Sequence, residues 1–141
     1  MRRGFTIVEV VVVVAIIGTL LGLLAPRWGA LRDRLTVDRA TREVASFYQT
    51  ARYGAIMRAQ PVRIEFGAAS LRAVYEGVRD STFLTRPGPA RLGVTLDASR
   101  PVIRISPNGI GYGAANTSLV LSRGSAADTL TTSRLGRLKR W

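Results

Sequence analysis

Cysteine and histidine are both absent from the 141 residues. Without cysteine there is no disulfide framework, no thiolate nucleophile and no zinc–thiolate site. Without histidine the commonest general base and the commonest metal ligand are missing. Acids are few, 9 against 21 basic residues, and lysine is reduced to Lys139 alone, the other 20 being arginine. The carboxylates Glu65, Glu76, Asp80, Asp97 and Asp128 fall at no spacing that suits a metal or an acid–base pair. Serines and threonines are many, but no histidine activates them, and a Ser–Lys scheme has only Lys139 to use. Gly109-Ile110-Gly111-Tyr112-Gly113 is glycine-rich, yet it lacks the G-x-G-x-x-G spacing and strand-to-helix context of a phosphate loop. The expectation is a non-enzyme with no metal and no cofactor.

What is present is unevenly distributed. Residues 5–25 carry a single charge, Glu9, and are otherwise almost wholly apolar. Such a run is long enough to cross a bilayer core, which takes about 20 apolar residues. Setting aside residues 1–28 leaves 113, enough to bury a core unaided. Those 113 hold 18 basic residues and 8 acids, a net charge of about +10. Charge at that level attracts anionic partners such as nucleic acid or acidic headgroups. A compositional bias toward arginine produces the same number, so charge alone decides nothing.

Met1-Arg2-Arg3-Gly4 is a short basic leader, and the apolar run begins directly after it. A secretory signal has a shorter apolar centre closed by a small-residue cleavage site, which is missing here. Arg2 and Arg3 place this end in the cytoplasm by the positive-inside rule, with the carboxyl side facing outward. An uncleaved anchor for an arbitrary domain has the same features, but it leaves Glu9 unexplained. A mid-membrane carboxylate costs roughly 2.5–3.5 kcal/mol on insertion scales, less near the interface, and is a functional candidate by default. A cut after Gly4 would put a new cation, the Phe5 amine, just over one helical turn from Glu9, in the same chain or in a staggered neighbour. A Glu9 that snorkels to the headgroups is the plain alternative.

Gly4-Phe5-Thr6-Ile7-Val8-Glu9 followed by an unbroken apolar helix resembles the class III leader of type IV pilins and type II secretion pseudopilins. The resemblance implies that prepilin peptidase cuts between Gly4 and Phe5 and methylates the Phe5 amine. It further implies that Glu9 assists docking among other pilins or pseudopilins in the inner membrane. Pro26 matches a proline common at this depth in pilins, and Gly18 with Gly22 forms a small-xxx-small pair.

Beyond the membrane the helical period continues. Val37, Ala40, Val44, Phe47, Tyr48, Ala51 and Ala55 recur at spacings of three and four, one apolar face. Asp38 with Arg42 and Arg39 with Glu43 are i,i+4 pairs on the wet side. Pro61 ends the helix, and Gln60 before it is biased away from helical angles. The predicted helix therefore runs from Phe5 to Ala59, transmembrane over 5–28 and amphipathic over 29–59. After Pro61 the period becomes two, which predicts strands at Val62–Phe66 and Leu71–Tyr75. Residues 77–90, with Gly77, Pro87, Gly88 and Pro89, read as a loop. Further strands are expected at Leu92–Leu96, Val102–Ser106, Ser118–Ser122, Thr129–Ser133 and Gly136–Lys139, with turns at 107–109 and 123–125. The expected class is α+β: leader 1–4, a long amino-terminal helix over 5–59, and a small antiparallel β-sheet head over 60–141 packed on the helix's outer half.

Ile105-Ser106-Pro107-Asn108-Gly109, an apolar strand near Leu119 and Leu135-Gly136-Arg137-Leu138-Lys139 resemble the GspH/FimT-type minor pseudopilin domain. That implies a low-copy subunit of a short filament, its head in the periplasm or cell exterior. A competing reading rests on the carboxyl end, where Arg134, Arg137, Lys139 and Arg140 accompany Trp141 with no acid among residues 134–141. Cations beside a stacking ring suit single-stranded DNA. Gly136 and Arg137 resemble the basic DNA-capturing element of FimT-like minor pilins. The plainer alternative is a last strand with Leu138 inward and Arg137 and Lys139 solvated.

Overall fold

The computed structural model describes residues 6–113 and 115–141, with 23–27 described in backbone only. They form two compact units, one ending at Arg32 and the other running from Asp33 to Trp141.

From Ile7 onward the first unit is helix. α1 spans Ile7–Arg58, so its amino-terminal half belongs to this unit, and its backbone stays helical through Pro26. Ile7, Val8, Val10–Val14, Ile16, Ile17, Leu20 and Leu21 all face outward. Among the described residues no helix is long and apolar enough to cross a membrane. The described apolar stretch from Ile7 to Gly22 is sixteen residues.

The second unit starts on the amphipathic half of α1. Its predicted stripe is the seam of the core: Val37, Ala40, Val44, Phe47, Tyr48, Ala51 and Ala55 are each at most 2% exposed. The two i,i+4 pairs form as expected, Arg39 to Glu43 at 3.1 Å and Arg42 to Asp38. The helix ends in a Schellman arrangement: Gln60 N–H donates to Ala55 O, and Ala59 N–H donates to Ile56 O. The turning residue, Ala59, has φ +49, where glycine is usual.

β1 (Val62–Phe66) pairs antiparallel with β2 (Ser70–Tyr75), and β2 with β3 (Ser81–Pro87). β3 corrects the loop expected over 77–90. The Gly and Pro residues punctuate its ends, while Thr82, Phe83 and Thr85 supply β-formers between them. Phe83 stacks on Tyr75 with centroids 3.9 Å apart, and Pro87 is tolerated because β3 is a sheet edge. A 3₁₀ turn, Pro89–Leu92, follows and is closed by Gly93. The strand expected at Leu92–Leu96 consequently starts later, as β4 (Thr95–Ala98).

β5 (Val102–Ile105) returns to lie beside β1, and β6 (Gly111–Tyr112) pairs with β5. β7 (Thr117–Arg123), β8 (Ala126–Thr132) and β9 (Leu138–Arg140) form a meander. The head is antiparallel as expected, but its strands divide between two sheets, ordered β3-β2-β1-β5-β6 and β4-β7-β8-β9. Ile64, Leu71, Ile103 and Ile105 from one sheet and Leu119, Leu121 and Leu130 from the other join the α1 stripe in one cluster. Thr41 lies among the buried residues, and its hydroxyl has no partner.

Candidate functional site

Gly4 and Phe5, the expected processing site, lie outside the described residues. The next residue, Thr6, caps α1. Its Oγ1 accepts from Glu9 N–H at 3.3 Å, and its carbonyl accepts from Glu9 and Val10 at 3.1 and 3.2 Å. Glu9 thus sits three positions past the cap, in the first turn, where a carboxylate faces the positive end of the helix dipole. Thr6 belongs to the leader motif, and its role as the helix cap is a further function of that position. The Thr-x-x-Glu spacing of a capping box was the available signal. Outside the helix's own backbone, no described residue crowds the faces of Gly18 and Gly22, which suits close approach by another helix.

In the second unit the five tail residues separate by role. β9 alternates, so Leu138 packs on the core while Lys139 points outward opposite Thr131. Arg140, opposite Leu130, is exposed but lies within reach of α1. Its Nη2 reaches Asp38 Oδ1 at 2.7 Å and Asp128 Oδ2 at 2.5 Å. The Asp128 contact is an ion pair by distance without hydrogen-bond alignment, on a carboxylate that is otherwise buried. Lys139 Nζ lies 3.3 Å over the Trp141 ring, whose Nε1 donates to Thr131 Oγ1. Arg134 and Arg137 occupy the exposed turn before β9, Arg134 donating weakly to Gly113 O at 3.4 Å. Lys139, Arg140 and Trp141 are therefore gathered at one strand, with Arg134 and Arg137 on the turn leading into it.

The two head segments that carry the family resemblance meet on α1. The turn 106–109 closes with Gly109 N–H on Ser106 O at 2.8 Å. Arg52 Nε, from α1, donates to Gly109 O at 2.8 Å. Gly136, at φ +73, packs so close that a Cβ would lie 2.5 Å from Gly109 O and 2.6 Å from Arg52 Nε. The sequence gives no periodic or motif signal for Arg52, because its partner is 57 residues away.

Three carboxylates that look scattered in sequence converge on one cation. Arg63 contacts Glu65, Glu76 and Asp80 at 3.1, 3.2 and 2.8 Å. Arg63 and Arg104 are direct partners across β1 and β5, a like-charge pair that Glu76 bridges. Glu76 also accepts from Arg104 at 2.9 Å and from Tyr112 at 2.8 Å. Burial pushes the Glu76 carboxyl up, but these three bonds, Arg104 first, outweigh it and hold the group below its ordinary value. Tyr112 is raised, first by burial and then by its bond to Glu76. Every member is committed to a neighbour, so the cluster reads as a sheet-face brace. Among the described residues no group of three or more acids is arranged to hold a metal.

Comparison with known proteins adds an independent line. The family described as type II transport protein GspH matches residues 40–136, and the prokaryotic N-terminal methylation motif matches residues 1–25. A fimbrial protein of Pseudomonas aeruginosa is 30% identical over 122 residues, which cover 86% of this chain and 77% of that protein. The fold is similar to the type IV minor pilin FimU of Pseudomonas aeruginosa in two crystal forms, at 14% identity in both. The TM-scores are 0.65 and 0.62, covering 75% and 74% of this chain and 88% and 91% of the solved ones. A capped apolar helix bearing the methylation motif, continued by an amphipathic stripe under a two-sheet head, is thus matched by sequence across most of the chain, and the chain belongs to the GspH family of pilin-fold type II transport proteins.

Proposed function

We propose that this chain is a minor pseudopilin, a structural and assembly subunit of a type II secretion or type IV pilus-like filament. The observation that carries the reading is the pairing of a methylation motif over residues 1–25 with a GspH head over residues 40–136. Prepilin peptidase cuts between Gly4 and Phe5 and methylates the new Phe5 amine. Residues 5–28 then anchor the subunit in the inner membrane, amino end inside and head outside. The exposed apolar side chains of the described part of that segment require an apolar surrounding, which lipid supplies before assembly and neighbouring helices supply afterwards. Glu9 guides docking by meeting a neighbour's Phe5 amine.

Co-expression with a prepilin peptidase tests the reading. Wild type should lose residues 1–4 and gain one methyl by mass spectrometry. Gly4→Leu should stay full length, and Glu9→Val should be processed but fail to crosslink with partner pilins. An uncut wild-type chain would sink the proposal. DNA capture by Arg134, Arg137, Lys139, Arg140 and Trp141 remains the alternative, and exposed Arg137 is the residue best placed for it. That alternative demands a salt slope near −3 for about four phosphates on single strands, reduced by about 1.4 in Arg137→Ala/Arg140→Ala.

A further inference from the structure

A groove of about 370 Å³ opens in the second unit where the first turns of its helix meet β8 and the end of β9. Arg34, Leu35, Asp38, Asp128, Arg140 and Trp141 line it. Its two carboxylates are already engaged, Asp128 by Arg140 and Asp38 by Arg140 and Arg42. Arg34 makes no ion pair among the described residues, and Lys139 answers only the Trp141 ring. Beside these cations stand two large apolar groups left in the open, Leu35 at 60% and Trp141 at 69% exposure. Basic side chains set among an exposed aliphatic and an exposed tryptophan are the composition of a headgroup-level surface.

We propose that this rim is a lipid-contact surface that rests on the anionic headgroups of the bilayer holding the anchor. Arg34 and Lys139 meet phosphates, while Leu35 and Trp141 sit at the boundary between headgroups and acyl chains. The inference builds on the membrane-anchored reading above. Chain connectivity favours it whatever the arrangement of the two units: Leu35 is seven residues past the proposed anchor's end at Trp28, at most about 25 Å of chain. Nucleic acid offers the same phosphate chemistry, but it has no use for an exposed leucine. Before assembly the contact steadies the head on the membrane, and leaving for the filament surrenders it.

The chain has two tryptophans, which makes each readable alone. Full-length protein carrying Trp28→Phe or Trp141→Phe is reconstituted into vesicles with phospholipids brominated near the headgroup. The expected result is quenching of Trp141 in vesicles containing phosphatidylglycerol, relieved by high salt and by Arg34→Gln/Lys139→Gln. Each cation removed should weaken the contact about fivefold. Quenching of Trp28 with no quenching of Trp141 overturns the proposal and leaves the anchor intact. If Trp28 also escapes quenching, the anchor reading fails and the proposal falls with it. A shift of Trp141 emission by single-stranded DNA, unmatched by lipid, would assign the rim to nucleic acid instead.

Discussion

Gly136→Ala should be among the most damaging small substitutions in the head. Gly136 sits at φ +73, where an alanine pays about 1 kcal/mol for left-handed backbone. Its new Cβ would also lie 2.5 Å from Gly109 O and 2.6 Å from Arg52 Nε. Neither the Gly109 carbonyl nor the Arg52 side chain can step aside without breaking the 2.8 Å bond from Arg52 to Gly109 O, a charged-donor hydrogen bond whose loss costs about 1.5–3 kcal/mol. Together these give about 2.5–4 kcal/mol, against a stability of roughly 5–15 kcal/mol for a typical domain. In a unit this size the melting temperature should fall by about 10 °C or more. Gly113→Ala is the matched control, since Gly113 has φ +65 and, among the described residues beyond its chain neighbours, nothing within 4 Å of where a Cβ would lie, so it should lose only about 1 kcal/mol. Thermal and urea unfolding of a head fragment, residues 29–141, would read both, because every residue of the buried cluster lies within it. In an Arg52→Ala background, where that bond is already gone, Gly136→Ala should cost about 1.5–3 kcal/mol less, a coupling visible in a double-mutant cycle. Equal losses for Gly136→Ala and Gly113→Ala would refute the close-approach argument.

Other substitutions test separate parts of the head. Ala59→Gly should stabilise it by about 0.5–1 kcal/mol by relieving φ +49 at the helix end, read as a higher urea midpoint. Thr41→Val should be neutral or gain about 1 kcal/mol, because the buried hydroxyl it removes has no partner; a loss above that would mean the hydroxyl is bonded. Arg140→Ala should cost about 1–2 kcal/mol after allowing for screening of its half-exposed guanidinium, while Arg137→Ala changes stability by less than about 0.5. Glu76 has a folded pKa below its ordinary 4.5, so its contribution is complete above that value and drains away as pH falls through the folded pKa. Urea midpoints should drop on acidification below about pH 5, with a shallower drop in Glu76→Gln; identical slopes would remove Glu76 from the account.

The long helix was legible because its signal is local and repeated: all seven residues of the predicted stripe are at most 2% exposed. Its stop was legible too, though the residue that makes the turn is Ala59, and nothing in its side chain announces a left-handed backbone. β3 was hidden because glycines and prolines flank a strand whose burial is partial, leaving no apolar alternation to read. The split into two sheets is invisible to periodicity, which gives each strand a face but not a neighbour. The tail illustrates the same limit at the site. Its composition gathers four cations and a ring, yet Arg140 is committed to ion pairs because Asp38 and Asp128 arrive from 102 and 12 positions earlier. Arg52 and Gly136 likewise acquire meaning only once the chain has folded back on itself.

The chain passes between the sheets more than once: β1–β3 build the first, β4 leaves for the second, β5 and β6 return, and β7–β9 finish the second. Neither sheet is therefore a contiguous segment that can detach. A single protease cut in the stretch between β3 and β4, or between β6 and β7, leaves each fragment holding strands that belong beside the other's. Such a nicked head should remain one particle under native conditions and come apart only on melting. Within the head, then, durability is a property of the weave: damage at any one crossing is felt at every strand.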